Sequence, residues 1–114
     1  SDRLVVAAWG TMNPETFATE TPGHLMTVSL SDKTITDLGD ATPIGNLDGI
    51  EPFDGESYIV TDWVAGKVFQ ITRNGEAREI LSLSQGTADL GFISATRTAI
   101  IPLMMDGKVA AYKF

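Results

Sequence analysis

The chain has no cysteine among its 114 residues and a single histidine, His24. Without thiols there is neither a disulfide framework nor a thiolate metal site. With one imidazole, neither a histidine cluster nor a Ser-His-Asp triad can be assembled from one chain. Basic residues are scarce as well: eight Lys and Arg stand against 15 Asp and Glu, a net charge of −7. Nucleic-acid binding depends on neutralising phosphates with Lys and Arg, so this balance argues against such a partner. No apolar run approaches the ~18–20 residues of a membrane-crossing helix, and no stretch has the pattern of a signal peptide. A membrane is therefore not an expected partner. A helical period is missing too. The 43% apolar content nevertheless excludes disorder and is enough for one domain with an ordinary core.

What is present is a series of short runs rich in Val, Ile, Thr and aromatics, each ended by Gly, Asn, Asp or Pro. Such runs read as strands and turns. Ten strands are expected, at 4–9, 24–30, 33–38, 48–53, 57–63, 67–73, 76–82, 89–94, 98–104 and 108–114. Asn74-Gly75 favours a tight hairpin, because it tolerates positive φ. Ser31-Asp32, Asp54-Gly55 and Asp106-Gly107 mark further reversals. The fold class is all-β and antiparallel.

Parts of the chain repeat with an offset of 41 residues: Asp48 recurs as Asp89, Gly66 as Gly107, and Trp63 as Met104. A period of ~40–45 residues with four strands per unit is the mark of a β-propeller blade. Strand character agrees. Leu4–Trp9, Tyr58–Val60 and Ala99–Ile101 are apolar on consecutive residues, as in strands covered on both faces. Lys33–Leu38 and Glu76–Leu81 alternate, as rim strands would. The expectation is about two and a half four-stranded blades, in segments of about 1–40, 41–83 and 84–114, which amounts to half of a six-bladed ring. With strands lettered a to d outward, the chain reads b-c-d, a-b-c-d, a-b-c. Val6, Trp9, Ile59, Val60, Val68, Phe69, Ile100 and Ile101 are the expected inter-blade core, and Met104-Met105 the expected packing beside it. A ten-stranded sandwich is the alternative all-β architecture.

The run Gly45-Asn46-Leu47-Asp48-Gly49-Ile50-Glu51 leads into an expected innermost strand, followed by Tyr58-Ile59-Val60-Thr61-Asp62-Trp63 and Gly66-Lys67-Val68. This order resembles the senescence-marker-protein/gluconolactonase family of six-bladed propellers, within the strictosidine-synthase-like, NHL-related superfamily, and specifically its C-terminal half. Exported bacterial propellers of that group are similar in carrying Thr-Pro-Gly-His, here Thr21 to His24. The resemblance implies a divalent cation, calcium first, at the channel centre, held by a Glu, two Asn and an Asp from different blades. It implies that the Asp of an Asp-Gly pair also serves as base in lactone hydrolysis. Only Asp48 carries over, with Leu47 where the family has Pro. Asn46, Glu51 and Asp89 are further candidate ligands near the same mouth. Hard carboxylate and amide oxygens suit calcium, and an open coordination position would polarise a carbonyl. The bland readings stand beside these: Asp48-Gly49 as a turn, Asp89 as a cap, Asn46 and Glu51 as solvated, and His24 as the start of a strand beneath a long 10–23 loop covering the channel mouth.

The functional expectation is a metal-dependent lactone hydrolase competent in a complete ring, acting on a small molecule and assembled as a homodimer. A non-catalytic, NHL-like binding module and an inactive fragment are the alternatives. The family resemblance points to a periplasmic or secreted setting.

Overall fold

A computed structural model describes residues 2–114, and it is an antiparallel all-β structure of stacked sheets. The first sheet holds β1 (Arg3–Ala7), β4 (Leu25–Ser29) and β5 (Ile35–Asp37), in the order β1-β4-β5. Between β1 and β4 runs a separate hairpin of β2 (Gly10–Met12) and β3 (Thr19–Pro22). The central sheet is a four-stranded meander of β6 (Leu47–Asp54), β7 (Ser57–Asp62), β8 (Lys67–Thr72) and β9 (Ala77–Ser82). The third holds β10 (Gly91–Ile93), β11 (Thr98–Leu103) and β12 (Lys108–Lys113), with one 3₁₀ turn at Met104–Asp106. No helix among the described residues is long and apolar enough to cross a membrane.

The strands form where the apolar, β-branched runs lie, and the turns where special backbone is needed. Gly75 has φ +85°, and a Cβ there would stand 2.6 Å from the Leu38 carbonyl oxygen, so the β8–β9 hairpin requires glycine. Asp54 Oδ1 accepts from the Glu56 N–H and the Ser57 hydroxyl, closing the β6–β7 turn. The 41-residue offset is also an offset in register. Ser57↔Thr72, Ile59↔Gln70 and Asp62↔Lys67 in the central sheet become Thr98↔Lys113, Ile100↔Ala111 and Leu103↔Lys108 in the third.

Two cores result, one on each face of the central sheet. Val60 and Ile71 meet Leu25 and Leu38 of the first sheet, with Leu47 completing that cluster. Ile59 and Val68 meet Ala99, Ile101 and Leu103 of the third, with Phe53 and Leu90. Neighbouring residues of β7 thus point into different cores, as consecutive apolar residues in a doubly covered strand must. A ring cluster closes the end of the second core. Phe53 lies 5.3 Å from Phe92 and 5.5 Å from Phe114, and the Arg97 guanidinium sits 4.5 Å from the Phe53 centroid.

Several expected core positions are placed otherwise. Val6 is 39% exposed, and Ile100 is only partly buried. Both point away from the central sheet, while their neighbours Val5, Ala7, Ala99 and Ile101 face it. Trp9 and Phe69 are half-buried at the margins, and Met104 and Met105 are exposed. The 10–23 segment, expected as a loop, contains the β2–β3 hairpin. Its strands are exposed throughout and carry no apolar alternation from which pairing could be read.

The two cores set a stability contrast. Ile59→Ala should cost about 2–4 kcal/mol in urea unfolding, since it leaves a cavity in a closed core. In dilute solution Val6→Ala should cost less than about 1 kcal/mol, because solvent already reaches that side chain.

Candidate functional site

Asp48 owes its position to a bulge. Leu47 pairs with Asp62 and Ile50 with Val60, so β6 carries one residue more than β7 across this stretch. The extra residue interrupts the ladder and re-aims the side chain. Thr61, fully buried, steadies the bulge by accepting the Gly49 N–H at its hydroxyl, 2.9 Å away. Gly49 is not at positive φ. Its reason is proximity: a Cβ would fall 2.7 Å from Asp89 Cα, from Asp89 Oδ1 and from Leu90 N. The Asp-Gly pair is therefore no ordinary turn. It is the place where β6 and the segment leading into β10 approach too closely for a side chain.

That approach brings Asp48 and Asp89 together, the two residues related by the 41-residue offset. Asp48 is exposed at its tip, yet loss of water on its protein side raises its carboxyl above the usual range, and the Asp89 charge raises it further. The Asp89 backbone N–H, directed at Asp48, partly offsets both. A carboxylate with a raised pKa beside a second carboxylate can accept a proton, or share a cation, better than an isolated aspartate can.

The other two candidates are placed differently. Asn46 is buried, and its Nδ2 donates to the Trp9 carbonyl at 3.1 Å and to Thr19 Oγ1 at 2.8 Å. Its amide nitrogen thereby ties the β2–β3 hairpin and the end of β1 to the central sheet. Glu51 lies on β6 opposite Ile59, half-buried. Among the described residues no group of three or more His, Cys, Asp or Glu is arranged to hold a metal. Calcium takes ~6–8 oxygens, so Asp48 and Asp89 fit as part of such a site and need donors from elsewhere.

Sequence reasoning did not find three features nearby, although it placed Trp9 and Trp63 in the inter-blade core and matched Trp63 to Met104. Asp62, buried, accepts from the Val64 and Ala65 N–H groups and fixes the β7–β8 turn. Trp9 and Trp63 pack at 6.2 Å, and Trp63 Nε1 donates to Met104 Sδ at 3.3 Å, making a row across the three sheets. Among the described residues the buried Trp9 Nε1 has no hydrogen-bond partner. Asp62 follows Thr61 in a strand-to-turn step typical of such side-chain caps, whereas the row needs the stacking to be known. Two larger clefts lie elsewhere among the described residues. One of about 610 Å³ lies between Ile44 and Phe69, beside Asp40 and Glu76. One of about 360 Å³ lies beside Trp9, His24 and Met26. Neither includes Asp48.

No protein-family model matches the chain, and no curated protein sequence is significantly similar to it.

The site yields two expectations. Gly49→Ala should destabilise by about 1–3 kcal/mol, since the neighbouring backbone must move. Asp48→Asn should stabilise slightly at pH 7, by no more than about 1 kcal/mol given its exposure. The sign follows from linkage: a carboxyl raised on folding binds more protons folded than unfolded, so ionisation opposes folding. The gain should hold above the raised pKa and vanish below the ordinary value of 3.8. Paired urea titrations from pH 3 to pH 7 measure it.

Proposed function

We propose that the chain is a half-ring subunit of a six-bladed β-propeller, closed by a second copy of itself. One observation carries this reading: the two outer faces of the stack bear the residues that, at equivalent positions, mate inside it. Ile59 points from the central sheet toward the third. Ile100, its equivalent at the 41-residue offset, points outward from the third sheet beside exposed Val109 and Ile93. On the other face of the central sheet Val60 pairs with Phe69 and points toward the first sheet. Val6 pairs with Met26 in the same relation and points outward from the first sheet, beside Leu4 and Ile35. One outer face is thus the Ile59 half of a junction, and the other is the Val60 half.

Such complementarity is head-to-tail, and two copies of a three-sheet stack give six sheets, within the ~4–8 blades of known propellers. Burial at ~25 cal/mol per Å² across two junctions of several hundred Å² each would supply several kcal/mol per junction against the cost of association. Open apolar faces of this kind are otherwise sites of aggregation.

A hydrolytic role for the closed ring is supported by the Asp48–Asp89 pair and by the resemblance to the gluconolactonase family. Asp48 would take the proton of a water attacking a lactone carbonyl and return it to the ring oxygen as the acyl–oxygen bond breaks; the Asp89 charge beside it helps to raise its carboxyl above the usual range. A divalent cation bound there would polarise that carbonyl and lower the pKa of water. Asp48 and Asp89 are the residues of this chain that would contribute to holding it, with the remaining donors from elsewhere.

Light scattering at micromolar concentration should give twice the 12.2 kDa of one chain. Val6→Asp and Ile100→Asp should each return the single-chain mass without unfolding it. A single-chain mass for the unaltered protein would refute the assembly. Calorimetry with calcium on the dimer should give heat that Asp48→Asn abolishes, and identical titrations for the two would remove the metal reading.

A further inference from the structure

The cleft of about 610 Å³ lies between the first and central sheets, and both of its walls come from the middle of the chain. One wall is the connection from β5 to β6, with Asp40, Thr42 and Ile44. The other is β8 and the hairpin into β9, with Phe69, Asn74 and Glu76. The connection is held at both ends. Gly39, at φ +81°, lies so close to the β8–β9 turn that a Cβ would stand 2.2 Å from the Asn74 carbonyl oxygen. At the far end the Ile44 N–H donates to the Gly23 carbonyl at 2.8 Å, and Gly45 bridges to Gly23. Between these anchors Ala41 takes φ +63°, a left-handed conformation that costs energy for a residue with a Cβ. The cleft is therefore preformed, and its volume falls within the ~300–1,000 Å³ of small-molecule sites.

Its two ends differ in chemistry. The contact of Gly39 with the Asn74-Gly75 turn sets the residues that follow, Asp40 and Glu76, at one end on opposite walls. Asp40 Oδ1 accepts from the Thr42 N–H at 3.0 Å and from the Thr42 hydroxyl at 2.6 Å. These bonds hold its carboxyl below the usual range, so it is charged at neutral pH. Among the described residues neither Asp40 nor Glu76 has an ion pair, and no Lys, Arg or His lines the cleft. The basic residues of the same wall are engaged elsewhere. Arg73 donates to the Gly55 carbonyl, Arg78 to Gln70, and Lys67 pairs with Glu79. At the other end Ile44 and Phe69 extend the apolar core between the sheets, and Phe69 is only half-buried there.

We propose that this cleft binds a small organic ammonium ion, a primary amine with an apolar body. Its charged head sits between Asp40 and Glu76, and its body lies on Ile44 and Phe69. Two carboxylates without a counter-charge select a cation, and the apolar floor selects one that carries hydrocarbon. A primary ammonium has three N–H donors, enough to engage both carboxylates and the Asn74 side-chain oxygen together. An inorganic dication fits less well. Calcium takes ~6–8 oxygens, and among the described residues no group of three or more His, Cys, Asp or Glu is arranged to hold a metal. The cleft includes neither Asp48 nor Asp89. Both walls lie in one copy of the chain, so the proposal stands independently of ring closure and of the hydrolytic reading.

The probe is n-hexylammonium chloride, with 1-hexanol as its uncharged counterpart, each titrated into the ¹⁵N-labelled full chain at pH 7. Hexylammonium should give saturable amide shifts centred on 39–44 and 73–77. It should bind about fivefold tighter than hexanol, the upper end for exposed charge pairs. Asp40→Asn keeps an Oδ1 acceptor for Thr42 and so keeps the connection in place. Combined with Glu76→Gln it should erase the preference, so that the two probes bind alike, and Glu76→Gln alone should narrow it. Absence of saturation, shifts centred elsewhere, equal affinity for both probes in the unaltered chain, or a preference that survives the double change would each overturn the proposal. Displacement of the probe by an equal concentration of calcium chloride would overturn it as well, by showing a metal site. Concentration-dependent shifts in 39–44 without probe would do the same, by showing that a second copy fills the cleft.

Discussion

Every layer of this molecule is held through the two faces of β7. Ile59 and Val60 are both fully buried, on opposite sides, and each anchors a separate core. Because the side-chain period of a strand is two, a shift of β7 by one residue would exchange the contents of both cores at once. That is why Ser57, Thr61 and Asp62, buried polar residues of the same strand, all have hydrogen-bonded work. Ser57 binds Asp54 and Gln70, Thr61 takes the Gly49 N–H, and Asp62 caps the turn that follows. The polar residues fix the register, and the apolar ones collect the stabilisation from a correct register.

The strands and their order were legible because they depend on local pattern and turn chemistry. Asn74-Gly75 and Asp106-Gly107 stand at reversals, and all ten expected strands overlap strands of the structure. The offset of 41 residues extends even to register between the central and third sheets. It does not reach the first sheet in constant form, because the β2–β3 hairpin lengthens the connection between β1 and β4. That hairpin was invisible for a physical reason: it buries nothing, so its sequence carries no hydrophobic period. The placement of Asp48 near Asp89 was readable from the repeat, but the cause of Gly49 was not. A turn glycine and a close-approach glycine look alike until the neighbouring backbone is known.

The errors at Val6 and Ile100 are instructive in another way. A run of consecutive apolar residues reports that a strand is adapted to cover on both faces, without naming what covers it. In β7 both covers lie within the chain. In β1 and β11 only one does, and the other face carries exposed Leu4 and Val6, or partly buried Ile100 beside exposed Val109. At these two residues sequence and structure disagree about the molecule as a single copy. The proposed assembly would supply the missing cover at both.

Head-to-tail association has a geometric condition that isologous association lacks. Contacts of one unlike face with another repeat indefinitely unless the rotation per sheet returns the last face to the first. If each sheet turns by one sixth of a full circle relative to its neighbour, two copies satisfy both junctions together, and the second junction forms without a further loss of translational freedom. A smaller or larger turn leaves a gap, and the same faces then build open oligomers. In the proposed ring the close approach at Gly49 would bear directly on this turn, since there β6 and the segment leading into β10 come nearer than a side chain allows. A side chain there would splay the inner ends apart and widen the wedge. The glycine of the Asp-Gly pair would thus link the site to the proposed assembly: the close approach that brings Asp48 beside Asp89 would, in such a ring, also set the wedge between the central and third sheets.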